Sequence, residues 1–215
     1  CLRPMSELEY EKACRGPLAP VAGEYAWGNI SWTGIPIAGI SGAEDGTEYA
    51  TGGNVNVYAG YFTSGDGLAG TNTTTKLGPV RVGMFSGNPA NTTRATTGAS
   101  YYGVMELSGN VFEWTQQAIT GSTFDRTLGN GYLNASGNAD VATWPNAVAN
   151  IMPKGGSFGS NSTSASYMQV SNRRLSLTAN WATATNWSTS FGEAIGANYN
   201  TYRAKYFGGR RSEEH

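Results

Sequence analysis

Charge is scarce in this sequence, and that scarcity excludes several kinds of partner. Only 13% of the 215 residues are charged, and the formal net charge is −1. A protein that binds nucleic acid or an anionic membrane through electrostatics carries a basic footprint, which this composition does not offer. We therefore expect no nucleic-acid partner and no binding that is driven mainly by charge.

Histidine and cysteine, the residues of many catalytic and metal sites, are almost missing. The one histidine, His215, is the last residue, so Ser-His-Asp and Cys-His arrangements lack the imidazole that activates the nucleophile. The two cysteines, Cys1 and Cys14, flank a predicted helix, which would hold their Cα atoms farther apart than the roughly 7 Å that a disulfide allows. We expect two free thiols.

Long apolar runs are also lacking. No stretch of ~18 apolar residues occurs, so the sequence predicts no membrane-spanning segment. Glycine and aromatic residues are abundant instead, with 30 Gly, 12 Tyr and 6 Trp. Together with many Asn, Ser and Thr, they are typical of a loop-rich, β-containing protein whose loops recognise partners by stacking and adaptable hydrogen bonds.

Local patterns predict a few elements. Ser6-Glu7-Leu8-Glu9 is a capping box, and a helix from about Glu7 to Cys14 follows it. We interpret its acids as a solvated helix face. Tyr25 and Trp27 are predicted core residues. Short strands are expected at Asn54–Tyr58, from Lys154–Phe158 onward, and at Gly208–Arg211 as the last strand.

The stretch Gly98–Thr115, GASYYGVMELSGNVFEWT, organises the rest of the chain. Four of its residues, Tyr102, Val104, Met105 and Leu107, are too apolar for a surface loop. Ser108-Gly109-Asn110 has turn chemistry, and an apolar run resumes at Val111. Glu113 is the one acid inside that run. A buried carboxylate needs a positive charge or hydrogen-bond donors, so Glu113 requires an explanation.

The same stretch resembles the YGLYDMSGNVWEWT block of the formylglycine-generating-enzyme-like domains, a branch of the C-type lectin fold. Four more blocks resemble that family in the same order: LRPMSELEYEKACRG at Leu2–Gly16, YAWGN at Tyr25–Asn29, KGGSF at Lys154–Phe158 and YFGGRRS at Tyr206–Ser212.

The resemblance implies one domain over residues 1–215. Its expected fold is α+β, C-type-lectin-like, loop-rich, with short antiparallel sheets and few helices. Family domains already have strands before the motif at which this chain opens. We therefore expect the chain to be the C-terminal part of a longer protein without its N-terminal strands.

The resemblance also implies two structural calcium sites, for which oxygen ligands are suitable. One would use the side chains of Asn56 and Asp66 with the carbonyls of Val57 and Leu68. The other would use the carbonyls of Ser108, Gly109 and Val111 with the Glu113 carboxylate. Alternatively, an arginine or backbone N–H groups neutralise Glu113, and Asp66 merely caps a turn.

Redox catalysis is not expected. Formylglycine-generating oxidases hold copper with two cysteines, and the matching positions here are Ser160 and Ala165, which supply no soft sulfur ligand. The related iron enzymes need three histidines. The resemblance therefore implies no copper, no iron and no catalytic residues, although a remote oxidase with another site stays an alternative.

The segment Ser160–Tyr202 is polar, nearly uncharged and rich in aromatic residues. We expect it to form a surface for binding another protein or a glycan, and the alternative is that half of its rings are core. Its position resembles that of the variable region of diversity-generating-retroelement proteins. The leading contact residues are Tyr167, Trp181, Trp187, Tyr199 and Tyr202.

A second hypothesis is a structural one. The chain would then be a subunit of an extracellular or virion-associated assembly, with this segment and the Gln116–Asn150 excursion packed against neighbouring copies. Both hypotheses favour an exported, extracellular, cell-surface or virion-associated location.

Overall fold

The computed structural model describes residues 2–34, 39–43, 45–52, 55–59, 79–118, 132–136, 140–142, 151–158, 165–173, 207–208 and 211–213. Within these ranges the protein is a mixed α+β structure with two α-helices, α1 (Glu7–Arg15) and α2 (Arg94–Thr97). Neither helix has the length and apolar character that crossing a membrane requires. Short 3₁₀ turns lie at Met84–Gly87 and Ala165–Met168. The strands are β1 (Leu2–Ser6), β2 (Ile40–Ser41), β3 (Tyr49–Ala50), β4 (Phe112–Gln116), β5 (Ile151–Lys154), β6 (Phe207–Gly208) and β7 (Arg211–Glu213).

Strand β4 is the centre of the main sheet, whose order is β5-β4-β1-β7 with β6 also paired to β4. On one edge β4 pairs antiparallel with β5, placing Glu113 opposite Lys154. The other edge is shared, since β6 pairs parallel with the start of β4 and β1 pairs parallel with its end. The stretch that the sequence singled out therefore ends in the strand to which three others attach.

Helix α1 starts where its capping box predicts. The Ser6 side chain accepts a hydrogen bond from the Glu9 N–H, and the Glu9 carboxylate accepts one from the Ser6 N–H. Glu7, Tyr10 and Cys14 share the face that packs on the sheet, because residues three and four apart lie on one side of a helix. Glu7 is only 2% exposed, so the prediction of a solvated acid was wrong at this position.

The main core cluster lies between α1, the 25–27 turn and the 165–170 segment. Tyr25 and Trp27 are buried, as predicted, and their rings stack with centroids 5.1 Å apart. Tyr10 reaches across the core, and its hydroxyl donates to the carbonyl of Leu107. The cluster comprises Met5, Tyr10, Cys14, Tyr25, Ala26, Trp27, Val57, Ala59, Leu107, Ala165, Met168 and Val170.

Four local predictions differ from the structure. Tyr102 is 57% exposed, in a turn outside the buried seam that was expected from Tyr102 to Leu107. Of the strand expected at Asn54–Tyr58, the described residues 55–58 form one bridge, between Val57 and Gly34. The strand expected to begin at Lys154 ends there, because Gly155 and Gly156 turn the chain with positive φ. The last strand is two short strands, β6 and β7.

Candidate functional site

The turn Ser108–Gly109–Asn110 connects loops from across the sequence. Gly109 and Asn110 have φ values of +86° and +60°, the left-handed conformation that Gly and Asn tolerate best. The Asn110 side chain pairs with Val80, accepting from its N–H at 2.9 Å and donating to its carbonyl at 3.0 Å. The Ser108 hydroxyl donates to the Met168 carbonyl at 2.7 Å and accepts from the Ala26 N–H at 3.0 Å. Ser108, named above as a metal ligand, thus fixes two loops through its side chain.

Glu113 is buried, as the sequence indicated, at 3% exposure in β4. Lys154 of β5 is directly opposite Glu113 in the strand register, so the two residues are cross-strand neighbours. Among the described residues, no group of three or more His, Cys, Asp and Glu side chains could hold a metal ion. A calcium ion at this turn would therefore depend on carbonyl oxygens in addition to the one carboxylate, as the expected ligand set already assumes.

Asn56 and Val57 lie beside this turn. The Asn56 side chain accepts a hydrogen bond from the Thr33 N–H at 3.0 Å and donates to the Ala95 carbonyl at 2.9 Å. Val57 is fully buried in the core cluster. Their two expected partners in the first calcium site, Asp66 and Leu68, lie outside the described residues.

Of the expected contact aromatics, Tyr167 is described. It is partly buried in the 3₁₀ turn Ala165–Met168, and its ring meets Phe112 edge-on with centroids 6.4 Å apart. Trp181, Trp187, Tyr199 and Tyr202 lie outside the described residues, as does Ser160. Ala165, which stands where copper enzymes have a cysteine by resemblance, is packed in the core cluster.

Residues 165–173 pack against the main core cluster. Met168 and Val170 are fully buried, and the Val170 N–H donates to the Glu24 carbonyl at 2.9 Å. Part of the expected binding segment Ser160–Tyr202 is therefore held in the core. We call residues 165–173 the strap.

Helix α1 binds the strap through charged side chains. Arg15 contacts Glu24 at 2.7 Å and Glu11 at 2.5 Å, and it donates to the Ser171 hydroxyl at 2.7 Å. One guanidinium thus joins the helix, the loop at Glu24 and the strap. Arg15 is 12% exposed at its side chain, so water screens these contacts only in part.

Lys154 joins the sheet to the strap from inside the protein. Its side chain is fully buried, and Nζ donates to the Asn172 carbonyl at 3.1 Å and lies 3.6 Å from a Glu11 carboxylate oxygen. Nζ also lies 5.5 Å from the centre of the Tyr10 ring, within range of a cation–π contact. Burial lowers the pKa of Lys154, and the nearby carboxylates of Glu11 and Glu7 oppose that shift.

Cys14 lies in the same interior. Burial raises the pKa of its thiol to about 12, so the thiol is protonated at neutral pH. Since the thiolate is the form that attacks electrophiles and binds metals, Cys14 has the properties of a packing residue. It is a free thiol, as predicted.

The strap ends in an ion pair with the start of α1. Arg173 donates from Nε and Nη2 to the two carboxylate oxygens of Glu7, at 3.0 Å and 2.8 Å. The same two side chains hold the backbone of Ala118, whose N–H donates to Glu7 at 2.6 Å and whose carbonyl accepts from Arg173 at 2.9 Å. We call Glu7, Arg173 and Ala118 the junction.

Sequence reasoning missed the junction. The residue pattern assigned Arg173 neither a role nor a partner. The signal was present in α1, where Glu7 precedes Tyr10 by three positions and Cys14 by seven, on the face that the apolar residues mark as buried. An acid on that face requires a buried donor.

We call the described residues other than 132–136 and 140–142 the frame; along the chain, residues 119–150 follow its residue Ala118 and residues 174–206 follow its residue Arg173. The chain matches no protein-family model, no curated protein and no solved structure.

Proposed function

We propose that this chain is a non-catalytic recognition module, built on a C-type-lectin-like framework, that displays residues 174–206 to another protein or a glycan. The observation that carries the proposal is the anchoring of this stretch at both ends. Before it, the strap is bound to α1 and β5 through Arg173 and Asn172. After it, β6 pairs with β4 and β7 pairs with β1.

Anchoring of this kind suits recognition, because function commonly resides on loops that a rigid scaffold positions. The stretch between the anchors contains many Asn, Ser, Thr and Ala residues with few charges. Aromatic rings in such a background supply contact area at low entropic cost, while amides and hydroxyls adapt their hydrogen bonds. The rings proposed for contact are Trp181, Trp187, Tyr199 and Tyr202.

The absence of catalysis is part of the proposal. Cys14, the free cysteine among the described residues, has a raised pKa and supplies no thiolate at neutral pH. Ala165 offers a methyl group where the copper enzymes have a ligand by resemblance. Both observations favour binding over redox chemistry.

Fluorescence quenching by acrylamide tests whether the rings are displayed. We expect Trp181→Phe and Trp187→Phe each to remove a readily quenched component of the emission. Trp27→Phe is the matched control, because Trp27 is 3% exposed and its stacked ring is shielded from quencher. If Trp181 and Trp187 are as shielded as Trp27, they are core residues and the display proposal fails.

Binding is tested with the intact chain on glycan and protein arrays, beside a Trp181→Ala/Trp187→Ala double variant. Recognition predicts signals that the double variant loses while its Tm stays that of the parent. Equal signals from the two proteins, or no signal on either array, contradict the proposal.

Self-association is a second candidate use of the surface. Tyr132 and Leu133, within the 119–150 stretch, are 73% and 60% exposed, and exposed apolar groups of this kind suit contacts between copies. Sedimentation velocity over a concentration series would then show oligomers that Tyr132→Ser/Leu133→Ser weakens. A monomer at the highest concentration contradicts assembly.

A further inference from the structure

The junction lies where β1 stops pairing with β4. Strand β1 pairs with β4 up to Ser6 opposite Gln116. At Glu7 the chain turns into α1, so its backbone no longer runs beside β4. The residues after Gln116 therefore need other hydrogen-bond partners if they are to remain in place.

Side chains replace the missing strand at Ala118. Its N–H donates to Glu7 and its carbonyl accepts from Arg173, at 2.6 Å and 2.9 Å. A parallel continuation of β1 would likewise engage the N–H and the carbonyl of one residue from the same side. The bonds here are charge-assisted, and they are stronger than those between neutral groups.

The two side chains also fix each other. Arg173 binds Glu7 through two parallel N–H···O bonds, a fork geometry that restricts the orientation of both groups. Glu7 is 2% exposed at its side chain and Arg173 is 46% exposed. The carboxylate is thus held inside the protein while the guanidinium closes the site from the solvent side.

We infer that Glu7 and Arg173 are positioning residues that set, at one point, where the 119–150 and 174–206 stretches leave the frame. Ala118 is fixed by Arg173, which precedes the second stretch, and Arg173 is fixed by Glu7, which also binds Ala118. Replacing either side chain therefore removes one contact of Ala118 and the Glu7–Arg173 ion pair, so it alters the points at which both stretches join the frame. The biological use of this coupling rests on the proposed recognition function, whereas the coupling itself does not.

Hydrogen exchange of single backbone amides tests the coupling. Arg173→Gln leaves the acceptor of the Ala118 N–H intact but removes the fork that holds it. We expect the Ala118 amide to exchange about tenfold faster in this variant, the factor that corresponds to ~1.4 kcal/mol. Reciprocally, Glu7→Met is expected to speed the Asn172 amide, which donates to Gln169 within the strap at 3.1 Å.

Two controls separate this effect from general loosening. Arg15 also forms ion pairs and bonds the strap at Ser171, but it does not contact Ala118. In Arg15→Gln the Ala118 amide should therefore exchange at the parent rate. The Phe158 amide, which donates to Asn110 at 2.8 Å, reports on the frame and should be unchanged in every variant.

Arg173→Lys provides a milder variant in case Arg173→Gln does not fold. One ammonium cannot reproduce the planar fork, so the Ala118 rate should fall between those of the parent and Arg173→Gln. An unchanged Ala118 rate in Arg173→Lys and Arg173→Gln overturns the inference, as does equal acceleration at Phe158. The readout involves no partner, so this result and the array result are independent.

Discussion

Replacement of Gly98 by alanine is expected to destabilise the protein strongly. Gly98 ends α2 with φ +68° and ψ 13°, a left-handed conformation. A Cβ atom at this position would overlap the carbonyl oxygen of Asn56 and lie 3.1 Å from its carbonyl carbon. Asn56 has little room to move, because Thr33 and Ala95 bind its side chain.

Two effects add in the Gly98→Ala variant. A left-handed conformation costs an L-residue roughly 1–2 kcal/mol. Forcing a methyl group against fixed backbone atoms costs about 1–3 kcal/mol more, as in other overpacked sites. We therefore expect the free energy of unfolding to fall by about 2–5 kcal/mol.

Gly103→Ala separates the two effects. Gly103 also has a positive φ, +80°, but nothing lies within 4 Å of a Cβ built there. The free energy of unfolding of Gly103→Ala should fall only by the cost of the left-handed conformation, roughly 1–2 kcal/mol. For a chain of this size 1 kcal/mol shifts the Tm by about 2–4 °C, so thermal unfolding followed by circular dichroism resolves the difference. If Gly103→Ala lowers the Tm as much as Gly98→Ala, the predicted contact with Asn56 is wrong.

Three further predictions concern the cap, the turn and the buried thiol. Ser6→Ala removes the side-chain acceptor of the Glu9 N–H, so urea unfolding should show a loss of ~1 kcal/mol, and an unchanged midpoint would contradict the cap. If calcium binds at Ser108–Glu113, adding Ca²⁺ should raise the Tm of the parent and not of Glu113→Gln; equal shifts would place the ion elsewhere. The pKa of Cys14 is raised from 9.0 to about 12, so its contribution to stability is fully present below pH 9 and is lost as the pH rises towards 12. The free energy of unfolding, measured from pH 8 to 11, should therefore fall less steeply with pH in Cys14→Ala than in the parent. Parallel curves for the two proteins would contradict the raised pKa of Cys14.

Predictions from the sequence succeeded where the interaction is local. The capping box joins Ser6 to Glu9, three residues apart, and no distant group is needed to form it. Similarly, the turn at Ser108–Asn110 follows from residues that tolerate positive φ. Elements of this kind are encoded within one short stretch.

The junction could not be found in this way, because its parts come from distant positions. Because Glu7 stands among other acids of α1, it was interpreted as part of a solvated helix face. Its spacing from Tyr10 instead places it on the buried face. Its partner Arg173 follows 166 positions later in the chain. Only the pairing of β1 with β4 brings Ala118 beside them, and no local pattern predicts that parallel register.

Lys154 illustrates the same limit. In the sequence it precedes two glycines and was predicted to begin a strand, whereas it ends β5. Its burial is explained by the Asn172 carbonyl and the Glu11 carboxylate, which the strap and α1 bring to it. A lysine can be buried only where such partners meet it, and that meeting is a property of the tertiary fold.

The antiparallel pairing of β1 with β7 has a consequence for how the module can be joined to other polypeptides. Leu2 lies opposite Glu213, so the chain enters and leaves the sheet at neighbouring positions, about 5 Å apart between Cα atoms. A polypeptide fused before Leu2 and one fused after Glu213 would therefore be held side by side at the same edge of the main sheet.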